Sequence, residues 1–464
     1  MSRQAALICC LVAVVAMFAR DRRLRPMTSW GLWIVFLWVG IIGSRPISQW
    51  FGHALAVPTP DDYTEGSPLD RAIFLALSAA GALVLLQRPV RWSRCLAENR
   101  WTVAFLVYCG ISIVWSDFPF VSLKRWIKDV GNVVMVLILL TERDPRAAIK
   151  AVFSRYIYFA IPLSVVLIKY FPELGRYSIS WTWQTAYSGV TTDKNGLGAI
   201  ALVCAIFLLW DLTENTKGRD RPDLLDASIR LLLLAQVLWL VWTAGSSTTL
   251  VCLCLAAGML ICMHYPGGRQ QVLHLGTYSL AGGSVLLIVF SFFGGSGAFA
   301  ELLGRDATLT GRTDLWAALL NTSINPIVGT GYQSFWLGSR LRHFWEVFIF
   351  RPNQAHNGYL EVYLNGGVLG ISLLSAMIIS AGRRVKREVH GLGGLAALRL
   401  VLLLVALLYN WTEAAFSNLS LIWIIMLIAA IRYHRSSSTP AVRHHPVRPD
   451  TRSLLRYARS AGTA

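Results

Sequence analysis

The stretch Gln354-Ala355-His356-Asn357-Gly358-Tyr359-Leu360-Glu361 joins a polar segment to an apolar run that starts near Gly367. An imidazole is therefore expected where a water-exposed loop meets a membrane helix. Histidine takes and returns a proton near neutral pH, so His356 is the candidate general base. The plainer alternative is an interfacial histidine that caps a helix or binds a backbone carbonyl. Alternation of the apolar runs places cations on the same side, at Lys124, Arg125, Lys128, Arg305, Arg312 and Arg351. Lys124 and Lys128 are four apart and share one face of a helix. Such a cluster can hold phosphate, or it can be long cationic stems snorkelling at an interface. A base beside cations is equipped to deliver a hydroxyl to a centre whose leaving group is anionic.

The elements that must position these groups are membrane helices. Of 464 residues, 55% are hydrophobic, with a mean hydropathy of +0.51, more apolar than a soluble domain. Many apolar runs approach the roughly 20 residues that cross the hydrocarbon core. They fall near 5–19, 30–42, 72–86, 101–114, 130–140, 156–168, 197–210, 231–242, 249–262, 275–293, 368–381, 398–409 and 419–431. The expected fold class is all-α, a polytopic integral membrane protein of about 12–13 spans. A β-barrel would show short alternating segments instead. Arg20, Arg22, Arg23 and Arg25 follow the first run, so it reads as a retained helix with that loop inside and the N-terminus outside. The same rule puts the C-terminus inside, while three cations in the five residues 124–128 are an exception to it.

The net charge of +18 does not indicate nucleic acid, because the Lys and Arg residues sit between apolar runs. The eight cysteines show neither a disulfide framework nor a CxxC metal site. No cofactor or metal motif is legible. Residues 1–432 are expected to form one transmembrane domain with an external catalytic loop at about 294–366, and 433–464 a basic, disordered cytoplasmic tail. Within that loop, 313–320 reads as an amphipathic helix lying on the membrane, and Asn325 to Tyr332 as a turn.

Chemistry on the outer face has no access to ATP or nucleotide sugars, so a donor must arrive already activated. A polyprenyl diphosphate-linked sugar is such a donor: cations stabilise its leaving group and a base deprotonates the acceptor hydroxyl. Several motifs occur in a characteristic order. They are Gly311-Arg312-x-x-x-Trp316, Pro326-x-x-Gly329-x-Gly331, His356-Asn357-x-x-Leu360-Glu361 and Gly366-x-x-x-Gly370. With Ser44-Arg45-Pro46, Trp115-Ser116-Asp117-Phe118-Pro119 and Asp193-Lys194-Asn195-Gly196-x-Gly198, the chain resembles the O-antigen ligase and Wzy-type polymerase superfamily over about 30–431.

That resemblance implies a GT-C-like, metal-independent, inverting glycosyltransferase of the bacterial inner membrane. The implied donor is an undecaprenyl diphosphate-linked oligosaccharide, and the other partners are a glycan acceptor, the lipid bilayer and components of polysaccharide export. His356 matches the family's catalytic histidine and Arg312 an arginine that contacts the diphosphate. Ligases often carry Arg after Ser at the start of the ninth span, where this chain has Ser246-Ser247-Thr248. A second diphosphate contact must then come from Lys124, Arg125, Lys128 or Lys194, with Arg305, Arg351, Asn357 and Glu361 also expected at the substrate. The departure and the Asp193 segment favour an exopolysaccharide polymerase over an O-antigen ligase. Glu361 is weighed as an orienting partner of His356 against a carboxylate at a helix start. Glu413, in an external turn, receives low weight. A transporter or flippase is the rival class. It would need ionisable groups in mid-membrane, and the apolar runs offer almost none beyond Asp211, Arg399 and Glu413 near their ends.

Overall fold

Polar backbone groups have no water to bond in hydrocarbon, and a chain of long apolar runs answers by closing its hydrogen bonds within helices. The computed structural model describes residues 2–24, 29–52, 59–179, 182–215, 224–265, 267–268, 270–272, 312–389 and 394–433. Arg305, Gly311, the run expected at 275–293 and the tail from 434 lie outside the described residues. The described residues belong to one unit, Met1–Tyr433.

The protein is an all-α polytopic membrane protein. Its main helices are α1 (Arg3–Leu24), α2 (Gly31–Ile42), α3 (Pro68–Leu86), α4 (Arg100–Ile111), α5 (Pro119–Leu140), α6 (Pro145–Tyr170), α7 (Lys194–Asn215), α8 (Leu224–Ala244), α9 (Ser247–Cys262), α10 (Arg312–Leu320), α11 (Gly338–Val347), α12 (Gly358–Val389), α13 (Gly394–Tyr409) and α14 (Leu421–Ala430). Among the described residues, α1, α3, α6, α7, α8 and α12 are long and apolar enough to cross a membrane. Shorter apolar helices are α2, α4, α9, α13 and α14. Every residue of α14 is buried. A helix apolar all round belongs inside a bundle, and α14 packs against α5, α7, α12 and α13.

Two helices begin earlier than their apolar runs predict. Helix α6 starts at Pro145, with Asp144 accepting from the Ala147 amide at 3.0 Å. Its first turns carry cations that a hydropathy reading excludes, but each has a carboxylate: Arg146 pairs with Glu214, Lys150 with Asp211, and Arg155 with Asp21 at 2.9 Å. Helix α5 starts at Pro119, which places Lys124, Arg125 and Lys128 on regular helix. Both helices thereby take in ionisable groups that lie just outside the apolar runs. Arg155 and Asp129 are 0% and 1% exposed inside helices.

The polar segment between α6 and α7 holds a hairpin that sequence reading did not anticipate. Strands β1 (Arg176–Ser178) and β2 (Thr185–Tyr187) pair antiparallel, with Tyr177 opposite Ala186. Arg45 explains its placement. Its Nη2 donates to the carbonyls of Leu174 (2.7 Å), Gly189 (2.9 Å) and Thr191 (2.8 Å). One buried guanidinium thus fixes the entry to Asp193 and α7.

The segment from Arg312 to Asn357 makes its own small core. Leu315, Leu319, Phe335, Trp336, Leu341 and Phe344 are buried together there. Helix α10 covers the expected 313–320, and α11 was not anticipated. This cap docks on a break in α12 at Gly367, where φ is 60° and ψ is −160°. The broken ends are satisfied by the turn at 326–331. The amides of Thr330 and Gly331 donate to the carbonyls of Leu364 (3.0 Å) and Asn365 (2.9 Å), and those of Val368 and Leu369 donate to Pro326 (2.9 Å) and Ile327 (3.1 Å). A Cβ on Gly367 would lie 2.3 Å from the Ile327 carbonyl carbon, and one on Gly329 2.5 Å from that of Asn365. The two glycine motifs are the two sides of one backbone joint.

Candidate active site

His356 precedes α12 by two residues in a left-handed conformation, φ 50°. Such a backbone is costly for a residue with a Cβ and persists only where its surroundings hold it. The preceding peptide is held from both sides. The Ala355 amide donates to Glu361 Oε2 at 2.9 Å, and Trp316 Nε1 donates to the Ala355 carbonyl at 2.7 Å. Asn357 caps α12, its Oδ1 accepting from the amides of Tyr359 and Leu360 at 3.0 Å each.

The imidazole meets Glu413. His356 Nδ1 lies 3.2 Å from Glu413 Oε2, and Arg312 Nη2 donates to Glu413 Oε1 at 2.8 Å. Arg312 Nη1 also donates to the Thr412 carbonyl. One carboxylate therefore joins the two residues that sequence reading singled out as catalytic. Its side chain is 6% exposed against 19% for His356, so the carboxylate is shielded while the imidazole can be reached. Burial pushes the Glu413 carboxyl up. The hydrogen bond and charge of His356, with the charge of Arg312, outweigh burial and hold it below the usual carboxylate range. An ionised carboxylate only accepts, so the neutral imidazole carries its proton on Nδ1 and leaves Nε2 as a base.

The turn 410–420 that presents Glu413 is anchored at several points. Asn410 accepts from the Gly358 amide through its carbonyl (2.8 Å), and its side chain spans to Ala406 and Ala415 (2.8 Å each). Thr412 bonds Thr248 at the start of α9. Beneath it, buried Asp129 of α5 accepts from Trp423 Nε1 (2.6 Å), Ser417 Oγ (2.7 Å), Tyr332 Oη (3.1 Å) and Asn132 Nδ2 (3.1 Å). Ser417 itself has a φ of 51°. The starts of α7, α9, α10 and α12 meet around this turn. Gly198 passes so close to α9 that a Cβ would lie 2.5 Å from Thr249 Oγ1. Thr248, next to Thr249, bonds Thr412, so the start of α7 lies close to the turn that carries Glu413.

The other sequence candidates are placed differently. Glu361 does not bond His356. It accepts from Trp336 Nε1 (2.9 Å), the Ala355 amide and Asn365 Nδ2 (3.0 Å), so it fixes the loop rather than the ring. Lys194 opens α7, its amide donating to Tyr177 Oη at 3.2 Å. Arg351 is exposed and stacks on Trp345, 5.6 Å from the ring centroid, on the cap. Arg125 donates to the carbonyls of Gln333 and Tyr63. Lys128 lies over Phe74, and Lys124 beside Arg71. Glu413 was underweighted because a lone carboxylate in a short turn has no motif. Its one signal was position, an acid on the outer side between two apolar runs.

Residues 191–375 match the Wzy_C family, described as O-Antigen ligase. Over these residues the chain is similar to the O-antigen ligase and Wzy-type family. It is also 27% identical over 298 residues to the exopolysaccharide production protein ExoQ of Rhizobium meliloti (strain 1021). That match covers 61% of this chain and 65%, just under two thirds, of the relative's own length. The O-antigen ligase segment takes in the start of α7, Arg312, His356 and the joint at Gly367. Glu413 lies beyond it in the chain and is returned to it by the fold.

Proposed function

We propose that this protein polymerises undecaprenyl diphosphate-linked repeat units into an exopolysaccharide on the periplasmic face of the bacterial inner membrane, with its N-terminus periplasmic and its C-terminus cytoplasmic. The observation that carries the reading is Glu413 bridging His356 and Arg312 at the mouth of the bundle. The name of the relative, an exopolysaccharide production protein, favours polymer synthesis.

In this mechanism an acceptor hydroxyl gives its proton to His356 Nε2. Its oxygen forms a bond to the anomeric carbon as the bond from that carbon to the diphosphate breaks, and the electron pair leaves with the diphosphate. Attack opposite the leaving group inverts the centre, as in GT-C-like transferases. Glu413 faces the imidazolium that forms. Arg312 turns its remaining N–H groups to the diphosphate.

Complementing a deletion strain with His356→Ala tests this. Polymer should be lost while protein level and membrane insertion are kept, and lipid-linked repeat units should accumulate on the periplasmic side. Polymer of normal length and amount would remove His356 from the mechanism. The description O-Antigen ligase favours a second reading, transfer of finished glycan to lipid A-core or another acceptor. A ligase defect leaves unattached polymer, a polymerase defect leaves single units, and a flippase defect leaves the intermediate on the cytoplasmic side.

A further inference from the structure

A second group of cations lies at the His356 end of the bundle, on a different helix pair. Lys124 and Lys128 share a face of α5, and Lys128 Nζ lies 5.3 Å from the ring centroid of Phe74, one turn from Arg71 on α3. Arg125 is committed to the carbonyls of Gln333 and Tyr63. Lys124 and Lys128 form no ion pair among the described residues. Asp70 faces Lys128, but its carboxylate accepts from the Ser48 amide (3.0 Å) and Ser48 Oγ (2.6 Å). Large apolar side chains on the same two helices are exposed: Leu69, Leu75, Phe120, Leu123 and Ile127. On a membrane protein such side chains face acyl chains. Cations beside a greasy surface, on the side where the positive-inside tendency disfavours them, match an anionic headgroup on a lipid.

We infer that Arg71, Lys124 and Lys128 form a second lipid-diphosphate site, separate from Arg312, which holds the lipid-linked acceptor of the polymerisation. The inference rests on the polymerase reading, in which both substrates arrive as lipid diphosphates. A ligase needs one such site, a polymerase two, and Arg312 shared with Glu413 serves one. A hydrogen-bonded link between the two sites is present. Arg125 donates to the Gln333 carbonyl, and the Gln333 side chain donates to the Ser417 carbonyl, in the turn that carries Glu413.

Binding of undecaprenyl diphosphate to the full chain in phosphatidylcholine nanodiscs tests the site. The expected result is two equivalents for the native protein, and one for either R71Q/K124Q/K128Q or Arg312→Gln. The charge-retaining variant R71K/K124R/K128R should regain the second equivalent. Single neutralisations should weaken that equivalent about tenfold each. Phosphatidylglycerol in the nanodisc, or inorganic diphosphate in the buffer, should not displace it at equal concentration. Three results overturn the proposal: one equivalent in the native protein, two in R71Q/K124Q/K128Q, or displacement by phosphatidylglycerol or by inorganic diphosphate. If two equivalents bind and His356→Ala still polymerises, the site stands and the catalytic reading falls.

Discussion

Glu413 and His356 are 57 residues apart in the chain and 3.2 Å apart in space, on a carboxylate whose other oxygen takes Arg312. Glu413→Gln keeps the shape and removes the charge. The imidazolium loses its counter-charge, so polymer formation in a reconstituted assay should fall about 10²-fold or more, within the range of positioned acid–base groups. Glu413→Asp should recover part of it. An unchanged rate for Glu413→Gln would mean that the carboxylate only holds the turn.

The same carboxylate sets a pH dependence of stability. Its folded value is depressed, so its contribution is full above the ordinary carboxylate range and is lost as pH falls through the folded value. Thermal unfolding of native protein and Glu413→Gln in one detergent should therefore differ at pH 7, and the gap should close as pH drops below about 4. A gap that widened on acidification would contradict the pairing.

Arg312→Lys should impair turnover. Arg312 spans the Thr412 carbonyl and Glu413 with two nitrogens of one plane, and a lysine ammonium cannot reproduce that fork. Rates in a reconstituted assay should drop about tenfold or more, by the loss of one charge-assisted hydrogen bond.

Asp129→Ala should destabilise the fold by about 3 kcal/mol, because it strands buried donors on Trp423, Ser417, Tyr332 and Asn132. A lowered melting midpoint, together with lost activity, is the expected outcome, since Ser417 belongs to the turn that carries Glu413.

Gly367→Ala and Gly40→Ala should part company. A Cβ at Gly367 meets backbone at 2.3 Å in a conformation with φ 60°, whereas at Gly40 it meets nothing within 4 Å. The first should abolish folded protein in size-exclusion chromatography, at a cost of about 3 kcal/mol or more, and the second should be close to neutral.

Much of this was legible in the sequence. Apolar runs marked the helices, and Asn325, Pro326 and the glycines after them marked a turn, because both follow from local rules; that the turn docks on a break at Gly367 did not show. The start of α6 was hidden, since Arg146, Lys150 and Arg155 read as loop until their carboxylates on other helices are known. Glu413 was hidden for the same reason: its partners are distant in the chain. Glu361, adjacent in sequence, drew attention as the partner of His356 but bonds Trp336 and the Ala355 amide.

The pairing of Arg312 with Glu413 also bears on the electrostatics of the site. The Arg312 guanidinium already balances the Glu413 carboxylate, so the pair can wait beside hydrocarbon without recruiting counter-ions.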